Sequence, residues 1–578
     1  MRKALLYLFL FSCVISFSLS LRARFYKSNY AFENSLLSSE SEDESLFQNL
    51  TAQYKFDNPE VALKLLEIFT KEKPHKSVQD YYKHQLKRDP NYCLRAMEAF
   101  VKKPEFVFND VSFVSDYIPH AFFRESIIPM IGHDAMPYAY NHEEAGFLHL
   151  KPPFDVDPYI TDIFTKGSRQ QEYQLGVYLG CITQNFNHIY GCAQFADKDL
   201  VALNLKMYQR KYKWQPACSP GDSFFPETWI LWDKSDCENW FDYINSPEYE
   251  AEKAQKNIVF IRKIGKGMHR GKGVHPVDSE EEAILRSEYN NGELCGKNEV
   301  NMIVQRYVSN PLLVQGHKFD FRVYMMISST DPLTVYYHDG FLRVSLYEYD
   351  VNSHVKGVHL TNTAQSEGVF KDKKIQEMMG MNETELRNFQ MWNYTRLAQY
   401  LLDHGQIESM AWIDEYLRPK IEHAMQHLVR MAQSGLTKRP NVWELYGVDF
   451  MLDSDLNLWF IECNIGPVIK DSSEEKGVFL KKMFKDAFEI ISGQLRSRMK
   501  RVIKFINTLT NEGFATQDLE KMDITALSEN KKMFDSLLRN KIEPEFAISS
   551  ENSWVKIIDE SLEGTARYNG MFPAECVE

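Results

Sequence analysis

Zinc and dithiol motifs are missing from this chain. Its 9 cysteines in 578 residues include no Cys-x-x-Cys pair and no Cys/His group at zinc spacing. With Cys13 set aside, Cys93, Cys181, Cys192, Cys218, Cys237, Cys295, Cys463 and Cys576 remain, an even set that permits disulfides but is too sparse for a disulfide scaffold. Basic charge is also short: 67 Lys and Arg against 80 Asp and Glu leave a formal charge of −13, which argues against a general nucleic-acid binder. No internal repeat is visible, and beyond the N-terminus no segment approaches a membrane span. Neither Gly-x-x-x-x-Gly-Lys-[Ser/Thr] nor a Gly-x-Gly-x-x-Gly following a strand occurs, so neither a P-loop nor a Rossmann site is supported. What is present is ordinary globular composition, 44% hydrophobic and 25% charged, in a chain long enough for several domains.

The N-terminus reads as a targeting segment: Arg2-Lys3, an apolar run from Ala4 to Phe17, and small residues at Ser18-Leu19-Ser20. The run is shorter than the ~20 residues a spanning helix needs, so residues 1–20 are expected to be a signal peptide cleaved after Ser20, with no span left afterwards. Residues 21–57 contain an acidic, serine-rich linker expected to be disordered. A helical extension is expected over 58–104, an α/β domain over 105–250, a strand-rich catalytic core over 251–495 and a helical tail over 496–578. Within the core, Ser329-Thr330-Asp331-Pro332 and His338-Asp339-Gly340 read as hairpin turns, and residues 372–436 as helical. Asn49, Asn382 and Asn393 begin glycosylation sequons that have meaning only in the secretory pathway.

The strongest chemical signal lies near residue 450. Gly447 to Asp453 and Trp459 to Asn464 both read as strands, joined by a turn around Asp453-Ser454-Asp455-Leu456-Asn457. Alternation puts Glu462 and Asn464 on one face and Ile461 and Cys463 on the apolar one. Asp449 joins the Glu462 face if the turn holds an even number of residues. Two carboxylates and an amide oxygen at one spot suit a hard cation held against phosphates; a merely solvated surface hairpin is the plain alternative.

Two further stretches support the chemical reading. In His317-Lys318-Phe319-Asp320-Phe321-Arg322-Val323-Tyr324, Lys318, Asp320 and Arg322 share a face opposite Phe319, Phe321 and Val323. Two cations and a carboxylate suit phosphate binding beside a proton acceptor or metal; a purely structural pair of Asp320 with Arg322 is the plain alternative. Upstream, the strand ending in Arg262-Lys263 runs into a basic glycine-rich loop, Gly265 to Gly273, whose amides could close over phosphates.

In this order, the motifs make the chain resemble the tubulin–tyrosine ligase-like family of ATP-grasp ligases from about residue 180 to 490. The matching stretches include Asn187-His188-Ile189, Lys198-Asp199-Leu200, Phe225-Pro226-Glu227-Thr228-Trp229, the loop at 270–274, Gln305-Arg306-Tyr307, Lys318 to Arg322, Gly340-Phe341-Leu342-Arg343, His359-Leu360-Thr361-Asn362, Gly447-Val448-Asp449 and Glu462-Cys463-Asn464. The resemblance implies an α/β ATP-grasp fold, with Asp449, Glu462 and Asn464 holding two Mg²⁺ ions. Lys263, Arg270 and Lys318 would lie at the ATP phosphates, Gln305 and Tyr307 at the adenine, and Thr361 and Asn362 along the nucleotide or amino-acid side. Asp320, Arg322 and Arg343 would face the reacting carboxylate and incoming amine. Two departures stand out. The spacing from Lys263 to Arg270-Gly271 is one residue longer than the family pattern, so Lys266 could replace Lys263, and Cys463 and Gly466 stand where the family has an aliphatic and a small or hydroxyl residue.

The implied activity is ATP-dependent joining of an amino acid (glutamate, glycine or tyrosine) to a protein carboxylate through an acylphosphate, by a monomer acting on tubulin by family default, with no nucleic-acid partner. The rivals are a nucleotide-binding pseudo-ligase, a lumenal ligase acting on a secreted protein, and a small-metabolite ligase, which the Lys-Phe-Asp-Phe-Arg and His-Leu-Thr-Asn runs disfavour. The signal-like N-terminus predicts a secretory-pathway location, with cytoplasm or cytoskeleton as the alternative. The net charge would repel an acidic acceptor unless a basic face, Arg496 to Lys504 or Lys71 to Lys87, compensates.

Overall fold

The computed structural model describes residues 54–70, 97–98, 100–102, 113–115, 147–149, 185–186, 188–221, 223–256, 258–265, 273–297, 301–353, 355–361, 370–467, 474–511 and 541–577. The signal segment, nearly all of the acidic linker, the Lys71–Lys87 stretch and the Asn49 sequon lie outside them. In chain order the elements used below are α1 (Pro59–Thr70), β1 (Phe113–Ser115), β2 (Phe147–His149), β3 (Asn185–Phe186), α2 (Lys198–Lys211), β4 (Thr228–Ile230), α3 (Lys234–Ile244), β5 (Phe260–Ile264) and β6 (Val274–Pro276). They continue with α4 (Ser279–Asn290), β7 (Met302–Arg306), β8 (Leu313–Val314), β9 (His317–Thr330), β10 (Leu333–Glu348), β11 (Met391–Trp392), α5 (Arg418–Ala432), β12 (Glu444–Leu452), β13 (Leu458–Ile465), α6 (Glu474–Asn511) and β14 (Val555–Asp559).

Two sheets frame the molecule's centre. The larger runs β11-β10-β9-β12-β13, with β14 also on β10 and β8 on β9; the smaller runs β4-β7-β5-β6. Both are antiparallel throughout. A short parallel sheet, β1-β2-β3, stands apart. The expected mixed α/β class is borne out.

Alternation along β9 decides how the larger sheet is covered. Phe319, Phe321 and Val323 enter one core together with Ile421, Met425 and Leu428 of α5. Tyr324 and Met326, of opposite parity, enter a second core with Leu480, Phe484, Ile491 and Ile503 of α6 and with Val61 and Leu65 of α1. The sheet is thus sandwiched between helical layers, the arrangement that buries both faces of a long apolar strand. The smaller sheet rests on α3 and α4 through Trp229, Phe260, Val304, Trp240, Phe241 and Leu285.

Three expectations need revision. His338-Asp339-Gly340 is not a turn: β10 runs straight through it, with a register shift between His338 and Phe341. Gly340 is required there because a Cβ would lie 1.6 Å from the Arg322 carbonyl oxygen, the close backbone approach that a glycine in a strand often marks. Within 541–577 the expected helical tail is instead 3₁₀ turns and the edge strand β14, while α6 itself runs to Asn511. The basic run at 496–504 is not a free face. Arg498 is fully buried and donates to the Asn185 side chain at 2.6 Å and the Pro440 carbonyl at 2.8 Å, while Arg501 pairs with Glu543 at 2.9 Å and Lys500 with Glu545.

Two disulfides, Cys218–Cys576 and Cys237–Cys295, realise part of the even cysteine count; Cys192 and Cys463 are free and buried.

Candidate active site

Between the two sheets lies a cleft of about 860 Å³, counting its open mouth, into which β5, β7, β9, β10, β12 and β13 all contribute side chains. Its geometry depends on a β-bulge. From the turn outward, Leu452, Met451 and Phe450 pair with Leu458, Trp459 and Phe460, but Asp449 pairs with Glu462 rather than Ile461. The turn from Asp453 to Asn457 is odd, so a regular ladder would set Asp449 opposite Ile461 and Glu462 on the other face. The extra residue, Ile461, restores the match. Its side chain lines the cleft instead of the core, and its carbonyl faces Lys263 Nζ at 3.5 Å, whereas Cys463 is buried in the core as expected. Bulges commonly re-aim side chains in this way. The turn is pinned by Asp453, which accepts from the amides of Asp455 and Asn457 and from the Trp459 indole.

The three expected metal ligands converge. Asn464 Nδ2 lies 3.2 Å from Glu462 Oε1 and 3.4 Å from Asp449 Oδ2. Asp449 also accepts from Arg322 Nε at 2.5 Å, Arg322 Nη2 at 3.0 Å and Arg343 Nη2 at 2.8 Å. Among the described residues, no group of three or more His, Cys, Asp or Glu is gathered as for a metal; the cluster here is two carboxylates and an amide. That donor set is oxygen-rich and hard, which fits Mg²⁺ once the amide turns its oxygen inward.

Asp320 is held by Arg343, Nε to Oδ1 at 2.6 Å and Nη2 to Oδ2 at 2.9 Å, and accepts from the Thr361 hydroxyl. It does not pair with Arg322, which sits two positions along the same strand and reaches across to Asp449 instead; in a sheet, the cross-strand neighbour is the nearer one. Burial raises the Asp320 carboxyl, with Arg343 opposing. Burial also disfavours the Arg343 charge, yet Asp320 and Asp449 hold it protonated well above its ordinary value. Gly447, opposite Asn464, gives the Arg322 guanidinium its space: a Cβ there would stand 3.2 Å from Nη1.

Two lysines line the same cleft. Lys263 donates to Gln305 Oε1 at 2.6 Å, and Gln305 in turn donates to Thr228 at 2.8 Å. Lys318 donates to the His359 carbonyl at 3.1 Å and the Tyr307 hydroxyl at 3.3 Å. Burial, reinforced by neighbouring cations, lowers both lysines to about 8. Burial works the other way on Glu462, but Lys198, Lys263 and Asn464 outweigh it and bring the carboxyl down to about 2.

Two cleft residues carried no role assigned from the sequence. Lys198, the first residue of α2, reaches Glu462 Oε2 at 3.3 Å, and its amide donates to the Gly265 carbonyl at 2.9 Å, tying the helix to the start of the glycine-rich loop. His359 bonds through Nε2 to the Ser353 carbonyl at 2.6 Å, which fixes the proton there, so Nδ1 accepts from Tyr307 at 2.8 Å. Both belong to matched motifs, but only the fold reveals their partners. His188, by contrast, is remote in role: it anchors Glu444 at the start of β12 at 2.9 Å. Arg270, Asn362 and Lys266 lie outside the described residues.

A sequence model of the tubulin-tyrosine ligase family matches residues 179–501, which is more than half of the chain. The chain belongs to that family. Its α/β fold, with a cleft between two antiparallel sheets, is consistent with the ATP-grasp-like arrangement expected for that family. Among individual relatives, the human protein named inactive polyglycylase TTLL10 is 28% identical over 44% of this chain and 36% of its own length. The human protein monoglycylase TTLL8 is 28% identical over 41% and 27% respectively, and human tubulin polyglutamylase TTLL5 is 27% identical over 38% and 16%. The chain therefore spans little more than a third of the length of these relatives, or less.

These relatives overturn the secretory location expected from the N-terminus. Several are named for modifying tubulin, a cytoskeletal protein, which fits the cytoplasmic or cytoskeletal alternative. The described sequons have a local explanation as well. Asn382 and Asn393 are N-caps, accepting from the amides of Glu385 at 3.0 Å and Arg396 at 2.8 Å. Among the described residues no helix is long and apolar enough to cross a membrane.

Proposed function

We propose that this chain is an ATP-dependent ligase that joins an amino acid, glutamate, glycine or tyrosine, to a carboxylate of tubulin or a similarly acidic protein through an acylphosphate. The observation that carries this reading is the cleft's charge pattern. Lys198, Lys263, Lys318 and Arg343 line one cavity together with Asp320, Asp449 and Glu462. A carboxylate is a poor electrophile until phosphorylated, and phosphoryl transfer is catalysed chiefly by positioning and charge neutralisation.

In this mechanism Lys263 and Lys318 bind the transferring phosphates, regaining in that contact the solvation lost on burial. Gln305 and the Tyr307–His359 pair hold these lysines in place and border the base. Asp449, Glu462 and Asn464 would hold Mg²⁺, which when bound supplies neutralisation of phosphate charge. Lys198 releases Glu462 for that role and turns to the phosphates. Asp320 and Thr361 orient Arg343, whose Nη1 makes no hydrogen bond among the described residues and is the donor for the acyl oxygen. Asp320 thus acts through Arg343, and its negative charge borders the pocket of the incoming amine.

The test is to incubate the purified chain with ATP, Mg²⁺ and labelled glycine, glutamate or tyrosine over tubulin and fractionated lysate. Glu462→Gln keeps shape but removes a ligand charge, and should lower incorporation by about a hundredfold or more; wild-type rates in this variant would defeat the assignment. A second reading, a pseudo-ligase, draws on the likeness to the relative named inactive. It predicts no incorporation of any amino acid while ATP still stabilises the fold.

A further inference from the structure

We infer that the exposed end of α2, from Arg210 to Trp214, is a docking surface for an acidic, extended peptide segment of the acceptor protein. The inference rests on the ligase reading above for the identity of the cleft. Trp214 is 86% exposed, the most exposed large apolar side chain among the described residues, and Met207, on the same helix, is 49% exposed. Around them Arg210, Lys211 and Lys213 are exposed and make no ion pair among the described residues, whereas Lys206 on the same helix is paired with Asp236 at 2.9 Å. Lys211 and Lys213 lie against aromatic faces, 4.9 Å from the Tyr212 ring centre and 5.2 Å from that of Trp214.

Cations in a last helical turn complement the helix dipole, which accounts for Arg210 and Lys211. It does not account for Lys213 or the solvated indole, both beyond the helix end. In a chain of formal charge −13, a patch of unpaired cations is a local exception, and the basic run of α6 is consumed internally. An indole flanked by ammonium groups suits a flexible carboxylate-rich strand, with the ring packing on methylene groups and the cations on carboxylates. An anionic bilayer would also attract lysine and tryptophan, but the apolar face of α2, Val201, Leu205 and Tyr208, is committed to the core, leaving no amphipathic face to insert.

Location strengthens the peptide reading. The first residue of α2, Lys198, lines the cleft, and the helix rises roughly 18 Å from there to Arg210 at about 1.5 Å per residue. About six extended residues span that distance, so a tail held at the patch could deliver a carboxylate to the cleft.

The experiment uses the full chain with a fluorescein-labelled glutamate-rich peptide, read by anisotropy without ATP, and phosphatidylserine vesicles as a parallel arm. Lys211→Glu/Lys213→Glu should weaken peptide binding roughly tenfold and flatten its salt dependence. Trp214→Ala should weaken binding with the salt dependence kept. Arg210→Ser/Lys213→Ser, which removes charge without reversing it, should give an intermediate loss, with unfolding midpoints unchanged in all three. In turnover, KM for the protein acceptor should rise at constant kcat. Equal peptide affinity in wild type and the charge-reversed variant overturns the inference, as does vesicle binding that the variants lose while peptide binding is untouched. Because binding is read without turnover, an inactive chain that still captures the peptide defeats the ligase reading alone, and an active chain indifferent to the substitutions defeats this one alone.

Discussion

Replacing Lys263 with methionine should separate the cost of the cleft's charge from its use. Lys263 is brought from 10.5 to about 8, chiefly by burial and then by repulsion from Lys198, with Glu462 opposing. At about 1.4 kcal/mol per pH unit, holding this buried ammonium in the cleft costs roughly 3 kcal/mol below pH 8. Methionine removes that cost but strands Gln305 Oε1, which accepts from Lys263 at 2.6 Å, for a loss of about 1–3 kcal/mol. The variant without nucleotide should therefore be as stable as wild type or up to about 2 kcal/mol more stable at pH 7. The sign of the pH dependence follows from proton counts. Between pH 8 and 10.5 the unfolded lysine is still protonated while the folded one is losing its proton, so the unfolded state binds more protons and stability rises with pH. Lys263 and Lys318 should each contribute up to about 1.4 kcal/mol per pH unit there, and methionine should remove one share. Denaturant titrations followed by tryptophan fluorescence at several pH values, with and without ATP and Mg²⁺, measure both effects. Wild type should gain roughly 3 kcal/mol of stability from saturating nucleotide, and the variant little. An unchanged slope above pH 8 together with an unchanged nucleotide shift would refute the assignment of Lys263 as a buried phosphate ligand.

Two further outcomes test the scaffold. Gly340→Ala drives a Cβ into the Arg322 carbonyl and should cost roughly 3 kcal/mol or more, read as a lower unfolding midpoint together with loss of nucleotide binding, since Arg322 is displaced with its strand. Arg498→Glu should collapse the fold by placing an acid where the Asn185 and Pro440 oxygens accept; a soluble, native variant with altered binding of acidic protein would instead make this helix a surface.

Much of the cleft was legible because β-strands alternate faces. Lys318, Asp320 and Arg322 against Phe319, Phe321 and Val323 needed only that rule, and the core bears it out. Cross-strand partners were not legible, since they depend on register. Nothing local says that Arg343 faces Asp320, or that an odd turn is rescued by a bulge at Ile461. The glycine in His338-Asp339-Gly340 looked like turn chemistry because a turn and a tight strand crossing both call for a residue without a Cβ. The basic run of α6 misled for a related reason: composition records charge but not which way it points. The N-terminal pattern was read for location, where the relatives decide otherwise.

The two short strands on the outer edge of β10 divide it between them, β11 covering Leu342 and Arg343 and β14 covering Thr334 to Tyr337. β14 lies far downstream, so while the chain is being made on the ribosome that half of the edge waits, unpaired, until nearly all of the sheet around it has formed. An open edge of this kind is a template for another chain. Translation that stalls between α6 and β14 would thus yield a product with its cleft strands complete and its aggregation guard missing, which ties quality control of this chain to the arrival of one five-residue strand.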